Sequence, residues 1–244
     1  MLTAAAICPH PPLLIPEVTG GAGDAELTAL REACHAAVAT LTDADVLVVV
    51  GGGDRTVRYP DDAAGSLADF GVPFSIGAGP PVLPLSLTVG RWLLGSRPVA
   101  RRSNAMQSVA WQAVAVDAAA DECLLLGAEL AALAPRVALL AMGDGPGRRA
   151  RRAPGAIDAD ADRYDKQVAN ALATADAGLL ADLDPRHDSE LFVSGRTAWQ
   201  VLAGAALADA DPGDQRFAAR LGYSGAPFEV SYFVATWQLA DRPV

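Results

Sequence analysis

Apolar residues follow two rhythms along this chain. Short unbroken runs are closed by Gly or Pro, and longer stretches repeat at helical spacing. Leu2 to Cys8 is a run of the first kind, stopped by Pro9, and predicts a buried strand. Asp45 to Val50 is the clearest strand. It is β-branched and apolar without polar alternation, as in a strand covered on both faces, and it ends in Gly51-Gly52-Gly53-Asp54. Ser108 to Val116 and Val137 to Met142 read the same way, the latter followed by Gly143-Asp144-Gly145-Pro146-Gly147. Of the helical stretches, the first follows Asp24, which fits an N-cap, with Leu27, Leu30, Cys34, Val38 and Leu41 on one face. Further helices are predicted at Leu85 to Leu94, Ala119 to Leu133 (stopped by Pro135), Ala159 to Ala173, Ala177 to Leu183 and Gly195 to Leu207. Arg55 to Pro84, rich in Gly and Pro, reads as a surface excursion with a short strand at Val72 to Ile76. Phe217 to Leu221 and Phe228 to Trp237 read as a closing pair of strands joined by Gly222 to Pro227. Alternation of strands and helices predicts one α/β domain, a central sheet with helices on both faces.

Composition narrows the function. With 244 residues, 51% of them hydrophobic and 20% charged, the chain has ample material for a core. A formal charge of −10 argues against nucleic acid as a partner, since phosphate contacts need a basic surface. No apolar run reaches about 18 residues, so no membrane span is expected. Met1 to Ile7 is short and lacks a basic flank, so it reads as a strand rather than a signal peptide. Cys8, Cys34 and Cys123 are odd in number and widely spaced, with neither a disulfide framework nor a Cys-x-x-Cys zinc pattern, and a cytoplasmic location is the default.

Sites in open α/β sheets lie where strands end at their carboxyl edge. Three such ends carry chemistry. Cys8-Pro9-His10-Pro11-Pro12 holds an imidazole on a proline-stiffened loop, suited to metal binding or proton transfer. Cys8 and His10 are two apart, so an extended chain points both the same way, and a Cys/His metal pair is one use of that spacing. Its plainer alternative is a buried thiol and a hydrogen-bonded histidine. Gly51-Gly52-Gly53-Asp54 would let a ligand approach the backbone with Asp54 as ligand or base, or would be a tight turn. Gly143 to Gly147 with Arg148, Arg149, Arg151 and Arg152 would hold an anion through N–H groups and guanidinium charge, or would be a solvated basic loop. Elsewhere, His35 reads as a helix-border residue and His187 as a surface one. Glu229, in a late strand, is costly if that strand is central and ordinary if it is an edge.

The segment Ile7-Cys8-Pro9-His10-Pro11-Pro12-Leu13-Leu14-Ile15-Pro16-Glu17-Val18 resembles the opening of class III (LigB-type) extradiol ring-cleavage dioxygenases, especially their MEMO-like and AmmeMemoRadiSam-associated relatives. Val46 to Gly53, Val137 to Arg148, Asp184-Pro185 and Ala226 to Ala235 continue the similarity along nearly the whole chain. The resemblance implies a single-domain LigB-like fold, a central mixed β-sheet flanked by helices. It also implies a non-haem Fe(II) held by two histidines and a glutamate, with a further histidine as acid/base and open positions for substrate and O₂. His10 matches the first histidine ligand. Gly53 stands where the second is expected, and Gly147 where the acid/base histidine is expected. Glu229 is the match for the glutamate. Asp54 and Asp144 adjoin the vacated positions, and an oxygen-rich site built from them would suit Mg²⁺ or Mn²⁺.

Three readings follow. The first is a divergent, metal-dependent oxidoreductase using Fe, Zn or Mn on a small aromatic or other small molecule. In it His10 and Asp144 are catalytic, and His10, Asp54 and Glu229 are ligands. The second is a non-catalytic member of the fold that binds a small molecule or a protein partner and needs no metal. The third is an anion-binding module using Arg148 and Arg149. A homodimer fits the resemblance.

Overall fold

The computed structural model describes residues 1–20, 24–95, 108–147, 159–208 and 216–240. In chain order the strands are β1 (Leu2–Cys8), β2 (Val46–Gly53), β3 (Val57–Tyr59), β4 (Gly65–Ser66), β5 (Ser75–Ile76), β6 (Ser108–Ala115), β7 (Val137–Met142), β8 (Phe217–Gly225) and β9 (Tyr232–Leu239). The helices are α1 (Pro16–Thr19), α2 (Ala25–Val38), α3 (Leu85–Gly95), α4 (Ala120–Ala131), α5 (Ala159–Thr174), α6 (Ala177–Ala181), α7 (Arg186–Leu191) and α8 (Arg196–Leu207).

Seven strands form one mixed sheet in the order β3-β6-β2-β7-β1-β9-β8. The four central strands β6, β2, β7 and β1 are parallel, and β3 at one edge and β9-β8 at the other run antiparallel. The parallel strands are the apolar runs, because helices cover both faces. In β7, Val137, Leu139 and Ala141 face a core shared with α4, α5, α6 and α8. Ala138, Leu140 and Met142 face the opposite core, shared with α2 and α3. β1 divides likewise, with Ala5 and Ile7 on one face and Ala4, Ala6 and Cys8 on the other.

Asp24 caps α2 as its side-chain type predicts, accepting hydrogen bonds from the Glu26 and Leu27 N–H groups at 2.8 and 3.0 Å. Asp24→Ala is expected to lower stability by about 1 kcal/mol, read from urea denaturation with an unchanged m-value. α8 is buried on every side from Arg196 to Ala206, and α4 crosses it backbone to backbone at Gly127 and Gly204.

Some expectations needed correction. The strand that sequence ends at Val50 continues through the glycines, pairing Gly51, Gly52 and Gly53 with Ala113, Val114 and Ala115. The excursion at 55–84 holds an edge strand, β3, that its Gly/Pro content concealed, and the strand expected at Val72 to Ile76 shortens to Ser75–Ile76. His187, read as a surface residue, is half-buried in the helix α7. The last strand begins at Tyr232, not Phe228, since Phe228 and Glu229 adopt left-handed φ values of 60° and 63° that no strand accommodates.

Candidate functional site at the carboxyl edge of β1 and β7

β1 and β7 are adjacent parallel strands, with Cys8 opposite Met142. The chain leaves β1 toward α2 on one face of the sheet, and leaves β7 toward α5 on the other. Adjacent strands whose exits diverge in this way open a crevice at their carboxyl ends. His10 and Asp144 are the polar side chains that follow the two strands.

The two ends are tied together. The Gly143 N–H donates to the Cys8 carbonyl at 2.9 Å, and the His10 N–H donates to Asp144 Oδ1 at 2.7 Å. The His10 ring turns the same way, placing Nδ1 3.6 Å from Asp144 Oδ1. Nδ1 is buried and has no hydrogen-bond partner at ordinary distance. From below, Arg31 on α2 holds the loop by donating to the Leu14 and Leu13 carbonyls, both at 2.8 Å. Proline rigidity and a guanidinium clamp therefore fix the backbone that carries His10.

Burial raises the Asp144 carboxyl above its ordinary range, and the neighbouring His10 opposes that rise. The same carboxyl is felt across the site. Burial pushes the Tyr232 phenol up, with a further contribution from Asp144. Burial also pushes the Cys34 thiol well up, followed by contact with Cys8 and the charge of Asp144. Cys8, Cys34 and Cys123 are free and buried. Cys8 is fully buried in the core shared with α2, its Sγ 4.0 Å from the Cys34 carbonyl, which is the plainer use of that thiol.

The other expected ligands do not join His10. β7 lies between β2 and β1, which puts Asp54's strand about 10 Å from that of His10. Asp54 follows β2 into an exposed bend on the way to β3. Glu229 is exposed too, in a 3-10 turn rather than a strand. That turn is set by the next residues, where the Gly145 N–H donates to the Ser231 carbonyl and the Ser231 N–H to the Pro146 carbonyl. Among the described residues, no group of three or more His, Cys, Asp or Glu is placed to hold a metal ion. Of the expected site residues, Asp144 comes together with His10, and Asp54 and Glu229 do not.

The glycine-rich ends have another use. A Cβ on Gly51 would come 2.5 Å from Ser86 Oγ, and one on Gly53 would come 3.2 Å from the Ala113 Cβ and 3.4 Å from the Pro84 Cγ. These glycines let α3 dock, and Ser86 donates to the Gly52 carbonyl at 2.7 Å. The N–H groups of Gly143, Gly145 and Gly147 donate to the carbonyls of Cys8, Ser231 and Leu191. None of those three donors is left for an anion. Arg148, Arg149, Arg151 and Arg152 lie outside the described residues.

One polar feature escaped the sequence reading. Arg196, 1% exposed, donates through Nε to Asp188 at 2.5 Å, through one terminal nitrogen to the Ala118 carbonyl and Gln200, and through the other to the Val116 carbonyl. The available signal was Gln200, one turn beyond Arg196 in a mostly apolar helix.

No family model matches this chain, and no curated protein matches it. Among solved structures it is similar to an uncharacterized protein, JW3007, from Escherichia coli K12. The two are 14% identical with a TM-score of 0.48, over 96% of this chain and 99% of that one. Among the described residues, no helix is long and apolar enough to cross a membrane.

Proposed function

We propose that this chain is a divergent LigB-like protein that acts on a small molecule by proton transfer at His10, with Asp144 as its partner. The observation that carries the reading is the buried His10–Asp144 contact at the point where β1 and β7 diverge. Asp144 lies beyond hydrogen-bond distance of Nδ1, but its negative charge favours the tautomer with the proton on the nitrogen nearer to it, which leaves the other nitrogen as the acceptor. Nδ1 faces Asp144, so Nε2 carries the lone pair that receives a proton from a bound hydroxyl or acidic C–H. Buried surroundings and a fixed loop orient that lone pair before the ligand arrives.

The resemblance implies iron, and the residues at hand do not fit it. A three-ligand iron site needs two further side chains beside His10, whereas Gly53 and Gly147 occupy the expected histidine positions and Asp54 and Glu229 are exposed. Free buried thiols suit the reducing cytoplasm proposed for the chain.

A second reading, a non-catalytic small-molecule binder, is favoured by Gly147. It stands at the acid/base position and packs against Phe192, 3.4 Å from where its Cβ would be. One set of measurements separates these. The protein is supplied with Fe, Zn and Mn, its metal content is measured, and thermal shift and O₂ uptake are followed with catechol and with non-aromatic hydroxy acids. Proton transfer at His10 predicts no stoichiometric metal and a ligand-induced shift abolished by His10→Gln. Stoichiometric metal lost on His10→Ala would instead support the metal-dependent enzyme. A shift that survives His10→Gln would leave the non-catalytic binder.

A further inference from the structure

We propose that Arg196 is a positioning residue for the His10–Asp144 pair, acting through the segment 189–195. The proposal rests on the functional reading only for its importance, since the geometry stands by itself. Asp188 and Arg196 form an ion pair across eight residues, closing the intervening chain into a loop. That loop docks on the strand end that carries Asp144. Its Ser194 N–H donates to the Asp144 carbonyl at 3.2 Å, and its Leu191 carbonyl accepts from the Gly147 N–H at 2.9 Å. Gly195 abuts Gly143 so closely that a Cβ on Gly143 would lie 2.5 Å from the Gly195 Cα. Asp144 is thus held from one side by His10 and from the other by a loop whose two ends Arg196 locks.

The same guanidinium reaches the neighbouring strands. Its bonds to the Val116 and Ala118 carbonyls hold the chain leaving β6, and the Val116 N–H donates to the Gly53 carbonyl at the end of β2. One side chain therefore ties the carboxyl ends of β2, β6 and β7 to the start of α8. The backbone of this loop is also unrelaxed. Phe192 has a φ of 55° and is 56% exposed. A left-handed phenylalanine persists only where its surroundings enforce it. Phe192 is the left-handed C-cap of α7, with its N–H and that of Val193 on the Asp188 carbonyl, so the residue that pairs with Arg196 also anchors this turn. A lysine cannot replace Arg196, because an ammonium lacks the planar fork that serves Asp188, Gln200 and two carbonyls together.

The test is Arg196→Lys, examined by amide exchange and by ¹⁵N NMR of the histidine rings, with His10 assigned through His10→Gln. The chain has three histidines, so the ring spectrum is simple, and His35 on α2 serves as internal control. With the fold retained by circular dichroism, exchange of the Ser194 and Gly147 amides is expected to rise roughly tenfold or more as the loop opens. The His10 ring is expected to shift from the Nδ1–H form toward a mixture of tautomers. Amides that stay as protected as in the parent overturn the proposal. So does faster exchange with an unchanged His10 ring, which makes Arg196 a support of the fold alone. Should Arg196→Lys fail to fold, Asp188→Asn is judged by the same two signals. Loss of the functional reading, shown by ligand shifts indifferent to His10→Gln, leaves these outcomes as they are.

Discussion

Alanine at Gly204 is expected to lower stability by roughly 3 kcal/mol, the upper end of what overpacking costs. A Cβ there would overlap the Leu124 carbonyl oxygen and come 2.6 Å from the Leu124 Cα. The obstacle is backbone, so no rotamer change relieves it, and α4 has to move away from α8. On the other helix, a Cβ on Gly127 would overlap the Val201 carbonyl oxygen and come 2.6 Å from the Ala205 nitrogen. The two sites share one seam, so the double variant is expected to cost less than the sum of the single ones. Urea denaturation of the three variants checks this. A Gly204→Ala protein within about 0.5 kcal/mol of the parent, the range of an ordinary surface change, would refute the backbone-to-backbone crossing.

Asp144→Asn is expected to stabilise the protein at neutral pH while impairing its response to ligand. The carboxyl is raised by burial, so the folded chain holds its proton more tightly than the unfolded chain does. The corresponding stability is present below the ordinary carboxyl range, near pH 4, and is lost as pH rises through the raised value. Asparagine keeps an oxygen for the His10 N–H and removes the buried charge. Its advantage in Tm should therefore be clear at pH 7 and shrink as the pH falls toward about 4. A variant less stable than the parent at pH 7, with its loop intact by NMR, would argue that the charge is well compensated. Active groups held in unfavourable surroundings commonly trade stability for function in this manner.

The parallel strands were legible because burial on both faces leaves a continuous apolar run. β7 was read to the residue at both ends, and β1 likewise. Asp24 was legible as a cap because its side chain acts on the N–H groups directly after it. What failed depends on partners distant in sequence. The alternation from Phe228 looked like a strand, but Ser231 is bound to the ribbon at 145–146 and forces a left-handed turn before it. The Gly51 to Gly53 run looked like a ligand cradle because nothing local shows that Ser86 and Pro84 need that space. His10 and Asp144 were each legible as strand-end residues. Their pairing was not, because it depends on β7 inserting beside β1.

That insertion also bears on how the chain is made. β1 and β2 follow each other in sequence but never pair, since the place between them is kept for β7. On the ribosome, His10 emerges 134 residues before its partner Asp144, and the flanking strand β9 comes later still. At about 5–20 residues per second, several seconds pass before the pair can close. Until then the gap beside β1 is an open, apolar strand edge that invites wrong pairing. The run of alanines in β1, Ala4, Ala5 and Ala6, gives that waiting edge little side chain with which to capture a stranger.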